Sequence, residues 1–318
     1  MGSILTVGEP MALFVAEQEG LLDEVERFSR FVAGAEVNFA IGMVRLGHQV
    51  TYITQLGNDP FGRQIGRFLN QNGINTSYVS YHSNYFTGMQ WKQKVSRGDP
   101  DVFSLRKNSA AAHMNPHTVK DVQWEKFDHI HLTGIPPALS RDCRTMVYEL
   151  MAAASANGVQ ISYDPNLRPK LWDSKAEMVE VVNDLARQAD LVFPGIEEGQ
   201  LLTGKTNPQE IADFYHAYGV KTVVVKLGAK GAYSSTGLNN FTTEGFYVER
   251  IVDTVGAGDG FAVGVVSGLL EGLPLPEAVR RGNAMGALAI MSPGDNDGLP
   301  DRAGLRKFMD EQHRNGGT

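Results

Sequence analysis

A glycine-rich turn followed directly by a carboxylate stands in residues 253–268, which read DTVGAGDGFAVGVVSG. Gly256, Ala257 and Gly258 carry almost no side chain, so backbone N–H groups can converge there. At a helix start such groups bind phosphate, aided by the positive end of the helix dipole. Asp259 could accept the proton of a hydroxyl that attacks this phosphate, or it could simply stabilise the helix N-terminus. The stretch alone leaves both interpretations open.

A second candidate phosphate loop, GQLLTGKT, occupies residues 199–206. It fits the pattern G-x-x-x-x-G-K-[ST], with Lys205 as the phosphate lysine. Such a loop follows a strand directly, and its Lys-Thr pair opens a helix. Here EEGQLL has the pattern of a short helix, and Thr206 or Asn207 would cap a later helix that begins at Pro208. The context favours an ordinary turn between two helices.

Short apolar runs alternate with longer amphipathic stretches along most of the chain, which predicts alternating strands and helices. This order is typical of a mostly parallel sheet with helices on both faces, in which ligands bind beyond the carboxyl ends of the strands. The predicted strands are SILTVGE, VTYITQLG, HIHLTGI, VQISYDPN, ADLVFPG and KTVVVKLG. The predicted helices are AEVNFAIGMVRLG, FGRQIGRFLNQNG, RTMVYELMAAASANG, KAEMVEVVNDLARQ, NPQEIADFYHAYG and PLPEAVRRGNAMGALAI.

Two segments interrupt this alternation, residues 10–33 and 85–108. Both contain strand-like runs joined by tight turns; in the second, YFTGMQWKQKV is followed by the turn SRGDP and then by DVFSLRK. We expect them to form a small antiparallel β lid over the main sheet. No repeat or low-complexity linker divides the sequence, so we expect residues 1–318 to form one α/β domain with this lid.

Composition narrows the classes of partner. The 318 residues are 42% hydrophobic and 20% charged, enough for a full core. The net charge of −7, with acidic and basic residues interleaved, disfavours nucleic acids and anionic membranes as partners and favours a small-molecule substrate. Cys143 is the only cysteine, so an internal disulfide is excluded. Without a secretory signal or an apolar run of about 20 residues, we expect a cytoplasmic protein.

Two separated motifs resemble those of a known family. DTVGAGDGF is similar to the C-terminal signature of the ribokinase-like (PfkB) carbohydrate kinases. AGAEVNFAIGMVRLG (residues 33–47) and GNDPFG (residues 57–62) are similar to the N-terminal signature and to the turn that follows it. The resemblance covers nearly the whole chain. It implies a ribokinase-like fold and ATP-dependent phosphorylation of a sugar hydroxyl.

The resemblance also implies roles for individual residues. Asp259 would be the catalytic base and contact the sugar, while Gly256, Ala257 and Gly258 would form the anion hole. Gly34 and Asn38 would face the sugar with their backbone and amide. The implied nucleotide-binding residues are Lys226, Gly228, Gly231, Gly256, Gly258 and Asn283. ATP, Mg²⁺ and a monovalent cation such as K⁺ near Asp253 are the implied cofactors, and a homo-oligomer formed through the lid is the implied assembly.

Several segments resemble the subgroup of the family that phosphorylates the terminal hydroxyl of 2-dehydro-3-deoxy-D-gluconate: HLTGIPPALS, DPNLRPKLW, FPGIEEGQLLTG and SPGDNDGLP. Arg106 matches the substrate arginine of the family, and a planar guanidinium pairs well with the carboxylate of a keto acid. Arg168 matches an arginine near the substrate or the transferred phosphate, where it would stabilise the negative charge of the transition state.

The sequence departs from the family pattern in two segments. Ser104 and Leu105 stand where relatives often carry tyrosines, so one substrate hydrogen bond is expected to be absent or supplied elsewhere. Gly195 replaces the asparagine of an N-x-x-E element associated with magnesium, while Glu198 is retained. Glu198 is therefore the candidate metal-handling residue.

The sequence alone leaves competing functions open. The sugar could be fructose, ribose or 2-dehydro-3-deoxygalactonate in place of the gluconate. A sugar-sensing module without turnover is a further alternative, although such a protein would not need the carboxylate of Asp259.

Three candidate residues or pairs also have purely structural interpretations. Arg106 and its neighbour could be solvated charges on an edge strand. Arg168 could pair with Asp164. His129 and His131 would share one face of a strand, but without a third ligand nearby in sequence we expect them to pack in the core and not to bind a metal.

Overall fold

The β-strands follow the apolar runs of the sequence. The structure, a computed structural model, describes residues 1–95, 100–292 and 296–315. Its strands are β1 Ser3–Val7, β2 Met11–Glu19, β3 Phe28–Ala33, β4 Gln49–Gly57, β5 Asn75–His82, β6 Met89–Lys94, β7 Val102–Leu105, β8 His129–Thr133, β9 Gln160–Asp164, β10 Leu191–Val192, β11 Thr222–Lys226, β12 Ala232–Ser235 and β13 Asn240–Thr243. Residues 96–99 of the turn SRGDP and residues 293–295 of the segment SPGDNDGLP lie outside the described residues.

The helices occupy the amphipathic stretches between the strands. They are α1 Ala35–Arg45, α2 Pro60–Gln71, α3 Pro116–Val119, α4 Ile135–Leu139, α5 Arg141–Ala156, α6 Lys175–Ala186, α7 Ile196–Thr203, α8 Pro208–His216, α9 Ala257–Leu270, α10 Leu275–Ala289 and α11 Arg302–Asn315. Side chains that cap helix N-termini fix several of these starts: Asp59 accepts from N–H groups at the start of α2, Ser140 does so for α5 and Asn207 for α8.

The main sheet contains nine strands in the described part of the chain, in the order β13-β12-β11-β10-β9-β8-β1-β4-β5. Each neighbouring pair from β11 to β5 is parallel, and β12 and β13 add an antiparallel edge. The fold is therefore the mostly parallel α/β sheet that the alternation of strands and helices predicts. β5 was not among the predicted strands, because this edge strand is polar and only partly buried.

Helices cover both faces of this sheet and bury two apolar layers. Successive residues of a strand point to opposite faces, so Leu5 of β1 joins the layer under α5, α6 and α8, while Ile4 joins the layer under α1, α9 and α10. Between α9 and α10 the approach is close: a Cβ on Gly264 would lie 2.5 Å from the Cα of Gly282. Among the described residues, no helix is long and apolar enough to span a membrane.

The two insertions at residues 10–33 and 85–108 supply a second sheet, with the order β3-β2-β6-β7. Its outer pairs are antiparallel, but the central pair, β2 and β6, is parallel. The predicted small sheet is therefore present, and it is antiparallel except at this central pair. β1 and β5 run in the same direction in the main sheet, and β2 and β6 follow them along the chain, so both insertions enter the second sheet in the same direction.

Candidate active site

A cleft of about 350 Å³ lies between the carboxyl ends of the parallel strands and the second sheet. It is the place at which open α/β sheets bind ligands. Glu9, Asp164 and Lys226 reach it from the ends of β1, β9 and β11, and Gln90 and Arg106 reach it from the second sheet. The predicted site residues that line it are Gly34, Asn38, Arg106, Arg168, Glu198, Lys226, Gly256, Gly258 and Asp259.

The glycine-rich turn forms the start of α9, as its composition predicts. Gly256 is the N-cap and has φ 83°, a left-handed conformation that disfavours any residue with a side chain. Ala257 is the first helical residue, and Asp259 lies in the first turn. The first N–H groups of a helix have no carbonyl partner within the helix. This turn therefore presents N–H groups and a carboxylate to the same cleft.

Two amides hold the carboxylate of Asp259. Nδ2 of Asn38 donates to Oδ2 at 2.8 Å, and Nδ2 of Asn166 donates to Oδ1 at 3.4 Å. Asn296 donates to Oδ1 of Asn38 at 3.2 Å, which turns the amide nitrogen of Asn38 toward Asp259. Burial raises the pKa of Asp259 above its usual value, and the hydrogen bond from Asn38 opposes that rise. The carboxylate is thus oriented as an acceptor.

A buried ion pair lies beside this carboxylate. Nζ of Lys226 is 2.6 Å from Oδ2 of Asp164, and a Cβ on Gly258 would lie 3.5 Å from the same ammonium. Burial raises the pKa of Asp164 to about 6, although Lys226 opposes this. Burial lowers the pKa of Lys226, but nearby carboxylates, Asp164 first, outweigh it and leave that pKa above its usual value. A positive charge is therefore held against the first turn of α9.

Glu198 lines the cleft with both carboxylate oxygens engaged by backbone. Oε1 accepts from the N–H of Leu167 and Oε2 from that of Gly195, each at 2.8 Å. These bonds hold the loop after β9 against the start of α7. Among the described residues, no cluster of three or more His, Cys, Asp or Glu side chains could by itself hold a metal ion.

Arg168 is exposed at the rim of the cleft. Its Nη1 donates to the carbonyl oxygens of Asn166 and Leu167, at 3.3 and 2.9 Å. The alternative in which Arg168 pairs with Asp164 is not the arrangement found, because Asp164 pairs with Lys226. The guanidinium therefore stands at the cleft entrance.

Arg106 is buried under the second sheet, so it is not a solvated edge charge. Its side chain is 9% exposed, whereas Lys107 beside it is exposed. Nε of Arg106 donates to Oε2 of Glu9 at 2.7 Å. Gln90 also lines the cleft, and it lies opposite Ser104 in the strand register. An amide is thus present near the position at which relatives often carry tyrosine.

Gly34 lies at the N-cap of α1, with φ 144°. A Cβ at this position would lie 3.0 Å from the carbonyl oxygen of Glu9, so the backbones approach each other closely here. In the first turn of α1, Glu36 is fully buried and accepts a hydrogen bond from the hydroxyl of Thr133. Burial raises the pKa of Glu36 to about 7.

The remaining predicted nucleotide residues form a separate group beside the cleft. Nδ2 of Asn283 donates to the carbonyl oxygens of Thr243 and Glu244, at 3.1 and 2.9 Å. A Cβ on Gly231 would lie 2.0 Å from the same oxygen of Thr243. Gly228 has φ 61° in the turn before Gly231. Asn283 and Gly231 therefore contact the same backbone segment, and neither they nor Gly228 lines the cleft itself.

The competing motifs have structural roles. Of residues 199–206, the first part belongs to α7, Gly204 ends that helix with φ 71°, and Lys205 is exposed. Asn207 then caps α8, so the sequence forms a turn between helices, as its context predicts. The two histidines of β8 are buried and share one hydrogen-bond partner, the hydroxyl of Ser162. The prediction that they pack in the core is confirmed.

Four residues of this site were not identified from the sequence: Glu9, Gln90, Asn166 and Asn296. Glu9 and Asn166 follow strands whose carboxyl ends meet at the cleft. Their positions directly after predicted strands could have identified them as candidates. Asn296 and Asn38 are 258 positions apart in the chain, and no local sequence pattern predicts their contact.

The fold and this cleft together define a sugar kinase. Residues 1–302 match the pfkB family of carbohydrate kinases, so the chain belongs to that family and is a phosphotransferase. The resemblance of DTVGAGDGF and of the N-terminal motif is thereby confirmed.

Individual members of the family to which this chain is similar have names that state a particular sugar. The chain is 48% identical over 310 residues to the 2-dehydro-3-deoxygluconokinase of Bacillus subtilis (strain 168), covering 97% of this chain and 95% of that protein. It is 31% identical over 302 residues to the 5-dehydro-2-deoxygluconokinase of Geobacillus kaustophilus, covering 93% and 89%. It is also 31% identical over 303 residues to the 2-dehydro-3-deoxygluconokinase of Thermoproteus tenax, covering 94% and 92%.

Solved structures share the fold over nearly their full length. The PfkB protein from Polaromonas sp. JS666 has a TM-score of 0.89 at 43% identity, covering 96% of this chain and 99% of that one. An E. coli protein assigned as a Ribokinase II, in complex with ATP and Mg²⁺, has a TM-score of 0.90 at 26% identity, covering 98% and 100%. A fructokinase double mutant from Vibrio cholerae O395, with fructose, ADP and potassium bound, has a TM-score of 0.86 at 26% identity, covering 97% and 98%.

Proposed function

We propose that this chain transfers the γ-phosphate of ATP to the terminal hydroxyl of 2-dehydro-3-deoxy-D-gluconate, giving 2-dehydro-3-deoxy-6-phospho-D-gluconate. The observation that carries the proposal is the placement of Asp259 in the first turn of α9, facing a cleft that Arg106 reaches from the other side. The 48% identity to a 2-dehydro-3-deoxygluconokinase supports this choice of sugar.

Asp259 would orient the sugar hydroxyl and accept its proton. The amides of Asn38 and Asn166 hold its two oxygens from the protein side and favour the ionised form. Phosphoryl transfer has a loose transition state in most analyses, so the protein contributes mainly position and charge. A carboxylate can serve as the base because the proton leaves late.

Fixed positive charge would stabilise the transferred phosphoryl group. Gly256 and Gly258 line the cleft at the start of α9, where N–H groups and the positive end of the helix dipole attract anions, and the Lys226 ammonium lies against the same turn. Arg168 at the rim would add a second cation. The second sheet would exclude water, which competes with the sugar for the phosphoryl group.

The carboxylates of the cleft fit a magnesium ion that arrives with the nucleotide. Mg²⁺ is usually held by one or two carboxylates together with substrate phosphates and water, and it does not require a cage made only of protein ligands. Besides Glu9, which pairs with Arg106, the carboxylates that line the cleft are Asp164, Glu198 and Asp259. When bound, the ion would neutralise charge on the phosphates.

The contacts of Asp253 do not fit a monovalent cation bound by that carboxylate. Lys92, on the second sheet, pairs with Oδ2, and the N–H of Val255 donates to Oδ1 at 3.1 Å. Both oxygens are engaged, and an ammonium already supplies a positive charge there. We therefore assign no step to potassium, although the Vibrio cholerae fructokinase was solved with that ion.

The carboxylate of the sugar acid would bind Arg106. Arginine suits this role because its planar donors match a carboxylate. Gln90 would supply a hydrogen bond that tyrosine provides in relatives, since it lies opposite Ser104 on the neighbouring strand. Adenine would lie near Asn283 and Gly231, beside the segment that both contact.

The test is a coupled assay of ADP release with ATP and Mg²⁺ across 2-dehydro-3-deoxygluconate, 2-dehydro-3-deoxygalactonate, fructose, ribose and gluconate. We expect the best kcat/KM on the keto-deoxy acids, with Arg106→Ala raising KM mainly for them. Lys205→Ala is the matched control, because Lys205 is exposed outside the cleft and its loss should leave turnover unchanged. Preference for fructose or ribose with Arg106 dispensable would assign the chain to another sugar kinase of the family.

We also propose a homo-oligomer formed through the outer face of the second sheet, in a cytoplasmic setting where ATP is available. That face exposes apolar side chains that a partner copy would cover: Phe103 and Leu105 are 58% and 41% exposed. Light scattering coupled to size-exclusion chromatography should give a mass above that of one chain, and Phe103→Asp should lower it.

A further inference from the structure

A buried carboxylate holds Arg106 from behind. Glu9 follows β1 directly and is 1% exposed. Its Oε2 accepts from Nε of Arg106 at 2.7 Å and also pairs with Nη2, while Oε1 accepts from the hydroxyl of Ser109. Both oxygens are therefore committed to groups in the segment that follows β7.

The packing around Glu9 leaves its carboxylate little freedom. A Cβ on Gly88 would lie 2.6 Å from Oε1 of Glu9, so only a glycine lets β6 pass this close. Ser109 is fully buried, and its hydroxyl oxygen also accepts from the N–H of Ala112 at 3.3 Å. The carboxylate is thus fixed by the protein before any ligand arrives.

These contacts decide which part of the guanidinium remains for a ligand. Arginine has five N–H donors in a rigid planar fork, and the edge formed by Nε and Nη2 is occupied by Glu9. The donors left are those of Nη1 and the second hydrogen of Nη2. Because the group is planar, fixing this edge also fixes the direction of the adjacent edge formed by Nη1 and Nη2.

We propose that Glu9 is a positioning residue that aims the free edge of Arg106 at the carboxylate of the sugar acid. This inference rests on the proposed function and adds the residue that orients its specificity-determining arginine. Glu9 neutralises the charge of Arg106, so the pair selects a ligand by the two hydrogen bonds that it can form, and less by net charge. A neutral sugar lacks the planar pair of carboxylate oxygens that matches this edge, so it gains less from the arrangement.

The test is a double-variant cycle with wild type, Glu9→Ala, Arg106→Ala and the combined variant, measured on 2-dehydro-3-deoxygluconate and on fructose. We expect Glu9→Ala to raise KM for the acid by about 10- to 100-fold, the range for a lost charge-assisted contact, with kcat changed much less. The combined variant should have the KM of Arg106→Ala alone within about twofold, because Glu9 acts only through Arg106. KM should rise more for the acid than for fructose, and KM for ATP should not change.

Glu9→Gln and Ser109→Ala separate positioning from folding. Glu9→Gln keeps an oxygen that can accept from Arg106, so its KM should lie between those of wild type and Glu9→Ala. Ser109→Ala leaves both contacts to Arg106 in place and should alter KM by less than about threefold. If Glu9→Ala does not fold, the cycle is run with Glu9→Gln, and melting temperatures of all variants are compared.

The outcomes distinguish the two proposals. Additive KM effects, or a KM for the acid that is unchanged or lower in the Glu9 variants, would overturn the positioning role while leaving the kinase assignment intact. A wild-type protein that phosphorylates only neutral sugars would overturn the proposed substrate, and the role of Glu9 with it.

Discussion

The amide nitrogen of Asn38 lies 2.8 Å from Oδ2 of Asp259, although the two residues are 221 positions apart in the chain. Asn38 comes from the first turns of α1 and Asp259 from the first turn of α9, so two helix starts meet at the cleft. The carboxylate that we propose to face the sugar is thereby held by the motif near the other end of the sequence.

Replacement of Asp259 by asparagine should remove the proton acceptor and keep the shape. We expect kcat to fall by at least about 10², with little change in KM for the sugar. Steady-state kinetics on the keto-deoxy acid check this. The matched control is Asp213→Asn, because the side chain of Asp213 is exposed on α8. Near-normal turnover in Asp259→Asn would rule out the role of base.

Asn38→Ala should displace the acid limb of the pH profile. A base works when ionised, so activity falls as pH drops through its pKa. The hydrogen bond from Asn38 lowers the pKa of Asp259, and its loss should therefore raise that pKa and move the limb of kcat/KM to higher pH. Asn166→Ala, which removes the longer 3.4 Å bond, should move it less. An unchanged limb in Asn38→Ala would contradict the coupling.

Glu36→Gln should stabilise the protein at alkaline pH. The pKa of Glu36 is raised from 4.5 to about 7 in the fold, so the unfolded chain ionises first as pH rises. Stability from this group is present below pH 4.5 and lost between 4.5 and about 7, a loss of about 3 kcal/mol. Glutamine cannot ionise, so its melting temperature should exceed that of wild type at pH 8 but not at pH 5.

The control for this comparison is Glu197→Gln on α7, where the side chain is exposed. It should leave the pH dependence of unfolding unchanged. Parallel pH curves for wild type and Glu36→Gln would show that Glu36 is ionised in the fold at neutral pH.

Gly231→Ala and Gly228→Ala should differ although both glycines have positive φ. Both substitutions strain the backbone, and Gly231, at φ 92° and ψ −129°, lies outside the left-handed helical region that other residues sometimes adopt. Only at Gly231 would the new Cβ collide with backbone, 2.0 Å from the carbonyl oxygen of Thr243; at Gly228 it meets nothing within 4 Å. We expect Gly231→Ala to melt lower and to raise KM for ATP more than Gly228→Ala. Equal effects of the two would separate this segment from nucleotide binding.

Exchange of K⁺ for Na⁺ should leave turnover of the wild type unchanged, because Lys92 and a backbone N–H already engage the Asp253 carboxylate. Lys92→Met should lower kcat, since Asp253 holds the backbone that leads to Gly256. Lys94→Met, at an exposed position of the same strand, is the control. Severalfold activation of the wild type by K⁺ would contradict this prediction.

Features that depend on residues adjacent in the sequence were predictable from it. The glycine turn, the start of α9 and the cap of α8 follow from side-chain size and from local hydrogen bonds. The parallel sheet follows from the alternation of apolar runs with helical spacing. The polar edge strand β5 was not predicted from the sequence, because it is paired on one side only and its burial pattern is weak.

The sequence by itself determined the class of fold, the glycine-rich turn at the start of α9 and the family to which the chain belongs. Only the tertiary structure decided which charges face one another: Glu9 with Arg106, 97 positions apart, and Asp164 with Lys226, 62 positions apart. The physical reason is that local patterns record the backbone preferences of adjacent residues. The pairing of buried charges instead depends on which loops the sheet order brings to the same edge.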